Sequence, residues 1–326
     1  MQNDIYVSVK QISRYYGTQC AVHNVSFDVK RGEVLGFLGP NGAGKSTTMA
    51  MITGNLAPSA GQILINGIDI LDKPKDAKAH IGFLPEQPPL YRDFTVDEYL
   101  RFCAKLNRIS KKAVKSAVDT VKARCGLTDV GKRLIDNLSK GYQQRVGIAQ
   151  AIVHSPAVVI LDEPTVGLDP IQIREIRHLI RELSGEHSVI LSTHILPEIQ
   201  VTCDRVQILN KGKLVLSDTV AGIEQQMKAS SLVVALKHPP EASELAHIPQ
   251  VSSATLLENG RFRLVYDPHT NPAEHVVQAA VENNWGLYEI FPEKRSLEQI
   301  FVDITTSEKE DAPDSEHKQN AENQAA

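Results

Sequence analysis

The segment Gly39-Pro40-Asn41-Gly42-Ala43-Gly44-Lys45-Ser46-Thr47 sets glycines, a lysine and two hydroxyls at the spacing G-x-x-x-x-G-K-[ST]. It follows the apolar run Val34–Leu38 and precedes a helix-forming stretch, Thr47–Thr53. Glycines let successive backbone N–H groups curl around phosphate oxygens, and a helix N-terminus adds positive potential. In such a cradle Lys45 would pair with the β- and γ-phosphates of a nucleotide, and the Ser46 hydroxyl would ligate Mg2+. A second arrangement is Val158-Val159-Ile160-Leu161-Asp162-Glu163, an apolar strand that delivers two acids at its carboxyl end. Open parallel sheets bind their ligands there. Asp162 suits Mg2+, directly or through water, and Glu163 is placed to polarise an attacking water. Ser139 begins a third. Serine is a good helix N-cap, and its hydroxyl and the nearby amides can turn to an anion; by itself this stretch reads as an ordinary capped helix.

That third stretch, Leu138-Ser139-Lys140-Gly141-Tyr142-Gln143-Gln144-Arg145, resembles the signature Leu-Ser-Gly-Gly-Gln of the ATP-binding cassette of ABC proteins. Lys140 stands for the first glycine and Tyr142 for the glutamine, while Ser139 and Gly141 are retained. The other elements follow in the order the resemblance requires. Gly167-Leu168-Asp169 is similar to the family's D-loop, and Ser192-Thr193-His194 to its H-loop, with His194 reaching the γ-phosphate. Tyr16, just before Gly17, is similar to the aromatic residue that stacks on adenine; Tyr15 is the alternative. Glu86 falls where most cassettes carry a glutamine that reaches Mg2+ and the attacking water; Gln87 is the alternative. The stretches Leu84–Tyr91, His194–Glu198 and Ser296–Phe301 resemble ABC-2 exporter ATPases, especially the gliding-motility-associated type. This resemblance implies that two cassettes, expected to be identical copies forming a homodimer, sandwich two ATP molecules head to tail. Each copy supplies Lys45, Ser46, Asp162 and Glu163 to one site, and Ser139 and Gly141 to the other. It also implies a separate permease docked beside Glu86–Tyr91, and a peripheral place on the cytoplasmic face of the inner membrane.

Short apolar strands (Glu33–Leu38, Ala157–Leu161, Ser188–Leu191) alternate with helical stretches from residue 1 to about 218. This argues for an α/β domain with a mainly parallel central sheet. Within it, about 88–155 reads as a helical subdomain, because Val96–Leu106 and Lys111–Cys125 space their apolar residues by three and four. Residues 219–304 read as a small α+β domain. Leu232–Leu236 is a strand; Ala254–Leu257 and Arg261–Tyr266 flank a hairpin turn at Glu258-Asn259-Gly260; Pro272–Asn284 is a helix, Leu287–Phe291 a strand and Ser296–Ile304 a closing helix. Residues 305–326 read as a disordered acidic tail.

Composition narrows the classes. The 326 residues are 42% hydrophobic and 23% charged, as in ordinary globular proteins, and no apolar run is long enough to span a bilayer. Met1–Lys10 is polar and lacks the apolar core of a signal peptide. Cys20, Cys103, Cys125 and Cys203 are scattered, which suits free thiols in a reducing cytosol rather than a zinc site. Six acids after Thr305, set against Lys309 and Lys318, account for the whole net charge of −4. The body is therefore near neutral, and a nucleic-acid partner is not expected. A soluble ABC ATPase acting on nucleic acid or ribosomes would call for tandem cassettes, a coiled-coil insertion or a basic excess. A P-loop kinase or GTPase would lack the signature and His194.

Overall fold

The computed structural model describes residues 4–226, 231–257, 259–267 and 269–293. The chain forms two compact units, 1–220 and 221–326. The first contains, in order, β1 (Ile5–Tyr16), β2 (Gln19–Lys30), β3 (Val34–Leu38), α1 (Lys45–Ile52), β4 (Ala60–Ile65), β5 (Ile68–Asp69), α2 (Pro74–Lys78) and β6 (Ile81–Leu84). There follow α3 (Val96–Leu106), α4 (Val114–Arg124), α5 (Lys140–Ile152), β7 (Val158–Asp162), α6 (Pro170–Leu183), β8 (Ser188–Thr193), α7 (Leu196–Thr202), β9 (Arg205–Asn210) and β10 (Lys213–Thr219). A short α8 (Val220–Gln226) follows β10.

Two sheets share this unit. One has six strands in the order β10-β9-β3-β8-β7-β6; every pair is parallel except the β9–β10 hairpin. Strands buried on both faces must be apolar along their whole length. Accordingly, β7 (VVILD) and β8 (SVILST) are buried at every position. The other sheet, β2-β1-β4-β5, is antiparallel. Phe27, Val29 and Ile63 of that sheet join Phe37, Met49 and Ile160 in one core.

Between β6 and β7 the chain makes three α-helices, α3, α4 and α5. The α3 start is a capping box: Glu98 N–H donates to Thr95 Oγ1 at 3.3 Å, and Thr95 N–H donates to Glu98 Oε2 at 2.9 Å. Ser139 caps α5, its hydroxyl accepting from Tyr142 N at 3.5 Å.

The second unit builds an antiparallel sheet, β12-β13-β11-β14, from β11 (Ser231–Leu236), β12 (Val251–Leu256), β13 (Phe262–Tyr266) and β14 (Leu287–Glu293), with α9 (Ala242–Ala246) and α10 (Ala273–Glu282). Val234, Leu264, Leu245 and Val276 form its own core. The predicted closing helix over Ser296–Ile304 and the tail over 305–326 lie outside the described residues.

Candidate functional site

Parallel strands end together, so the loops that leave them share one edge of the sheet. The neighbours β3, β8, β7 and β6 end in register: Leu38 lies beside Thr193, Asp162 beside Ser192, and Leu84 beside Leu161. The residues that follow are therefore laid out side by side, with the Gly-rich loop after β3, His194 after β8, Glu163 after β7 and Glu86 after β6. They are far apart in the chain and adjacent in space for this reason alone.

The Gly-rich loop is held open by backbone geometry. Gly42 has φ +80° and Gly44 φ +102°, and a Cβ on Gly44 would meet the Ala21 carbonyl at 2.8 Å. Only glycine fits there. Lys45, the first residue of α1, is 6% exposed. Its ammonium folds back to donate to the Gly39 carbonyl at 2.8 Å and the Pro40 carbonyl at 3.3 Å. It also stands 3.6 Å from Glu163 Oε1. The other Glu163 oxygen, Oε2, accepts from His194 Nδ1–H at 2.9 Å. Glu163 sits at φ +48°, in the left-handed region, which is uncommon for a residue with a side chain. Its N–H donates to both the Ser192 carbonyl and Ser192 Oγ at 3.1 Å, which pins that conformation. The same Ser192 hydroxyl donates to Asp162 Oδ1.

Lys45, Glu163 and His194 line a cavity of about 700 Å3. Its wall includes Tyr16, the loop from Pro40 to Thr47, Glu86, Glu163 and His194. The volume falls in the range of small-molecule sites. Asp162 and Gly39 are not among the wall residues: Asp162 accepts from the Ser192 hydroxyl, which itself accepts from Glu163 N, and the Gly39 carbonyl accepts from Lys45. Ser139, Gly141 and Asp169 are not part of this cavity. Asp169 caps α6, accepting from Ile171 N at 2.9 Å and Gln172 N at 3.0 Å. Tyr16, not Tyr15, lines the cavity, with the Arg14 guanidinium 4.9 Å over its ring. Glu86 lines it and Gln87 does not. Sequence reasoning missed Gln19, Cys20, Ala21, Val166 and Lys211 in the wall. Lys211, in the tight turn between β9 and β10, has φ +46° and brings a second cation. Asn210-Lys211-Gly212 could have been read as a turn, but nothing local tells that the turn faces a nucleotide.

A parallel sheet with a glycine-cradled lysine after one strand and an acid at the end of a second strand, one strand apart from the first, defines a P-loop nucleoside-triphosphate-binding protein. A family profile described as ABC transporter matches residues 22–166. The uncharacterized ABC transporter ATP-binding protein YhcH of Bacillus subtilis (strain 168) is 36% identical over 307 residues, spanning 94% of this chain and 97% of that protein. The bacitracin transport ATP-binding protein BcrA of Bacillus licheniformis is 41% identical over 210 residues, spanning 64% of this chain and 68% of that protein. Among solved structures, cbiO1 from Clostridium perfringens, described as part of the ABC transporter complex cbiONQ, superposes with a TM-score of 0.64 at 30% identity, covering 68% of this chain and 91% of that one. The chain belongs to the family of ABC transporter ATP-binding proteins, and it is the ATP-binding, ATP-hydrolysing subunit of an ABC exporter.

Proposed function

We propose that two copies of this chain close on two ATP molecules and that closure drives a separately encoded permease. In this reading the Gly-rich loop from Gly39 to Thr47 cradles the phosphates, Lys45 leaves its carbonyl partners to meet the γ-phosphate, and Tyr16 stacks on adenine. Glu163 is the general base. His194 holds its carboxylate and faces the γ-phosphate. Ser139, Gly141 and Asp169, which stand apart from the cavity of their own chain, complete the partner's site. The observation that carries the reading is the Glu163 carboxylate, held between Lys45 and His194 on the cavity wall.

The donor set fits Mg2+. Ser46, Asp162 and Glu86 offer only oxygens, and Mg2+ takes few protein ligands beside water and nucleotide phosphates. When bound, Mg2+ would neutralise charge on the phosphates; Ser46 would hold it, Asp162 would reach it through water, and Glu86 would stand alongside.

Within the family, Leu84–Tyr91 and His194–Glu198 support an ABC-2 exporter of the gliding-motility-associated type, working peripherally at the cytoplasmic face of the inner membrane. No helix among the described residues is long and apolar enough to cross a membrane; in this reading a permease supplies the membrane path. The kinship with BcrA makes bacitracin the first cargo to test. The deciding experiment for ATP-driven closure is gel filtration of Glu163→Gln with and without ATP and Mg2+. The expected result is a doubled mass with ATP only, abolished by Ser139→Arg in the same chain. A mass that ATP leaves unchanged removes the closure mechanism.

A further inference from the structure

Glu198, on α7, is 1% exposed and borders no part of the nucleotide cavity. Its two oxygens are both engaged. Oε1 accepts from Thr165 Oγ1 at 2.6 Å, and Oε2 accepts from Thr193 Oγ1 at 2.7 Å. The Arg177 guanidinium of α6 stands 3.6 Å from Oε1. The Thr193 hydroxyl in turn accepts from Ile195 N at 3.1 Å, closing the turn that carries His194. Thr165 comes two residues after Glu163 and Thr193 one residue before His194. One buried carboxylate thus ties the loop that bears Glu163 to the loop that bears His194.

Simple packing does not account for this choice of residue. A leucine would fill the same space without the desolvation cost of a buried carboxylate. What leucine lacks is a rigid, planar pair of acceptors that sets the distance between two hydroxyls on different strand ends. That distance governs whether the Glu163–His194 hydrogen bond, 2.9 Å here, is in register. The left-handed backbone of Glu163 makes such bracing necessary, since an unbraced loop would relax toward ordinary φ.

We propose that Glu198 is a positioning residue for ATP hydrolysis, clamping Thr165 and Thr193 so that Glu163 and His194 meet in hydrolytic geometry. The inference rests on the reading of Glu163 as general base. The phosphate loop hangs from β3 and α1 and makes none of these bonds, so the clamp acts on turnover and not on nucleotide affinity.

The test is steady-state ATPase of the full chain together with nucleotide affinity by calorimetry. A reacting group misplaced by about 1 Å can lose on the order of 100-fold in rate. Glu198→Ala is therefore expected to lower kcat about 10- to 100-fold, with the ATP dissociation constant within about 3-fold of wild type. Thr165→Val and Thr193→Val keep side-chain shape and remove one hydroxyl each; a several-fold fall in kcat is expected from each, and these two decide the matter if Glu198→Ala does not fold. In a Glu163→Gln background, Glu198→Ala should change the residual rate by less than about 2-fold, because residues acting as one unit are not additive. Wild-type kcat in folded Glu198→Ala, or in both threonine variants, overturns the clamp. So does the same fractional loss with and without Glu163. Full turnover in Glu163→Gln alone is a different failure: it removes the base assignment first, and the clamp with it.

Discussion

Two buried glutamates bracket the six-stranded sheet of the first unit. Glu33 precedes β3 at the amino edge, and Glu163 follows β7 at the carboxyl edge. They are equally hidden, at 9% and 7% exposure. Their surroundings differ. Glu33 takes a two-pronged bond from Arg205, Nε to Oε1 at 2.7 Å and Nη2 to Oε2 at 3.2 Å, and a third from Lys30 N at 2.7 Å. Around it Asp204 accepts from Val34 N and Arg181, and the Ser188 hydroxyl bridges Gly32 N and the Lys30 carbonyl. That edge is closed on itself. Glu163 instead has a strained backbone, an ion pair at 3.6 Å and a histidine that is 46% exposed at the side chain. Its partners can each turn to another ligand. Saturated polar groups stabilise, whereas polar groups left with looser, exchangeable partners are where a substrate can enter.

Substitutions at the two edges should give opposite phenotypes. Glu163→Gln should cut ATP turnover about 10²- to 10⁴-fold, the usual worth of a general base. Its unfolding free energy should stay within about 1 kcal/mol of wild type, because the side-chain shape persists. Stopped-flow or coupled ATPase assays and urea titration measure both. Glu33→Ala should do the reverse. Removing one partner of a buried ion pair costs about 3 kcal/mol, because Arg205 is left uncompensated. Its kcat at a temperature where the variant is folded should match wild type. A large loss of kcat in folded Glu33→Ala would erase the distinction between the edges.

A smaller effect sharpens the same contrast. His187 at the amino edge donates from Nδ1 to the Pro156 carbonyl at 2.6 Å, and its pKa is lowered by burial and by the nearby Arg124. A folded-state pKa below the unfolded value means that the unfolded chain binds more protons as pH falls. The stability tied to neutral His187 is therefore full above the unfolded pKa of about 6.5 and is lost as pH drops below it, at no more than about 1.4 kcal/mol per pH unit. His154, also lowered by burial, adds to the slope. Urea midpoints between pH 7 and pH 5 should fall for wild type and fall less steeply for His187→Gln. Equal slopes would mean that His187 does not titrate as its burial requires.

The sequence discloses the carboxyl edge better than the amino edge, for a physical reason. The loop from Gly39 to Lys45 carries its backbone conformation and its charge within one short segment, so composition and spacing display both. Asp162 and Glu163 sit next to each other at the end of an apolar run and are legible in the same way. Glu198 is not: its partner Thr165 is 33 residues away, and only the parallel pairing of β7 with β8 joins them. The pairing of Glu33 with Arg205 spans 172 residues and left no local trace. The antiparallel sheet was also hard to read. Register shifts between Val9 and Ile12 in β1 break the two-residue alternation that marks a half-buried strand. In the second unit, the strands flanking Asn259-Gly260 were visible because that turn is local.

The cavity wall also carries one thiol, and the rest of the chain does not compete with it. Cys103, Cys125 and Cys203 are buried, and burial pushes the Cys125 thiol up to about 12, far from the thiolate that reacts. Cys20 is exposed and borders the space where a nucleotide would lie. A maleimide dye therefore has a single address on the natural chain, and its emission can follow occupancy of the site in real time without any engineered cysteine.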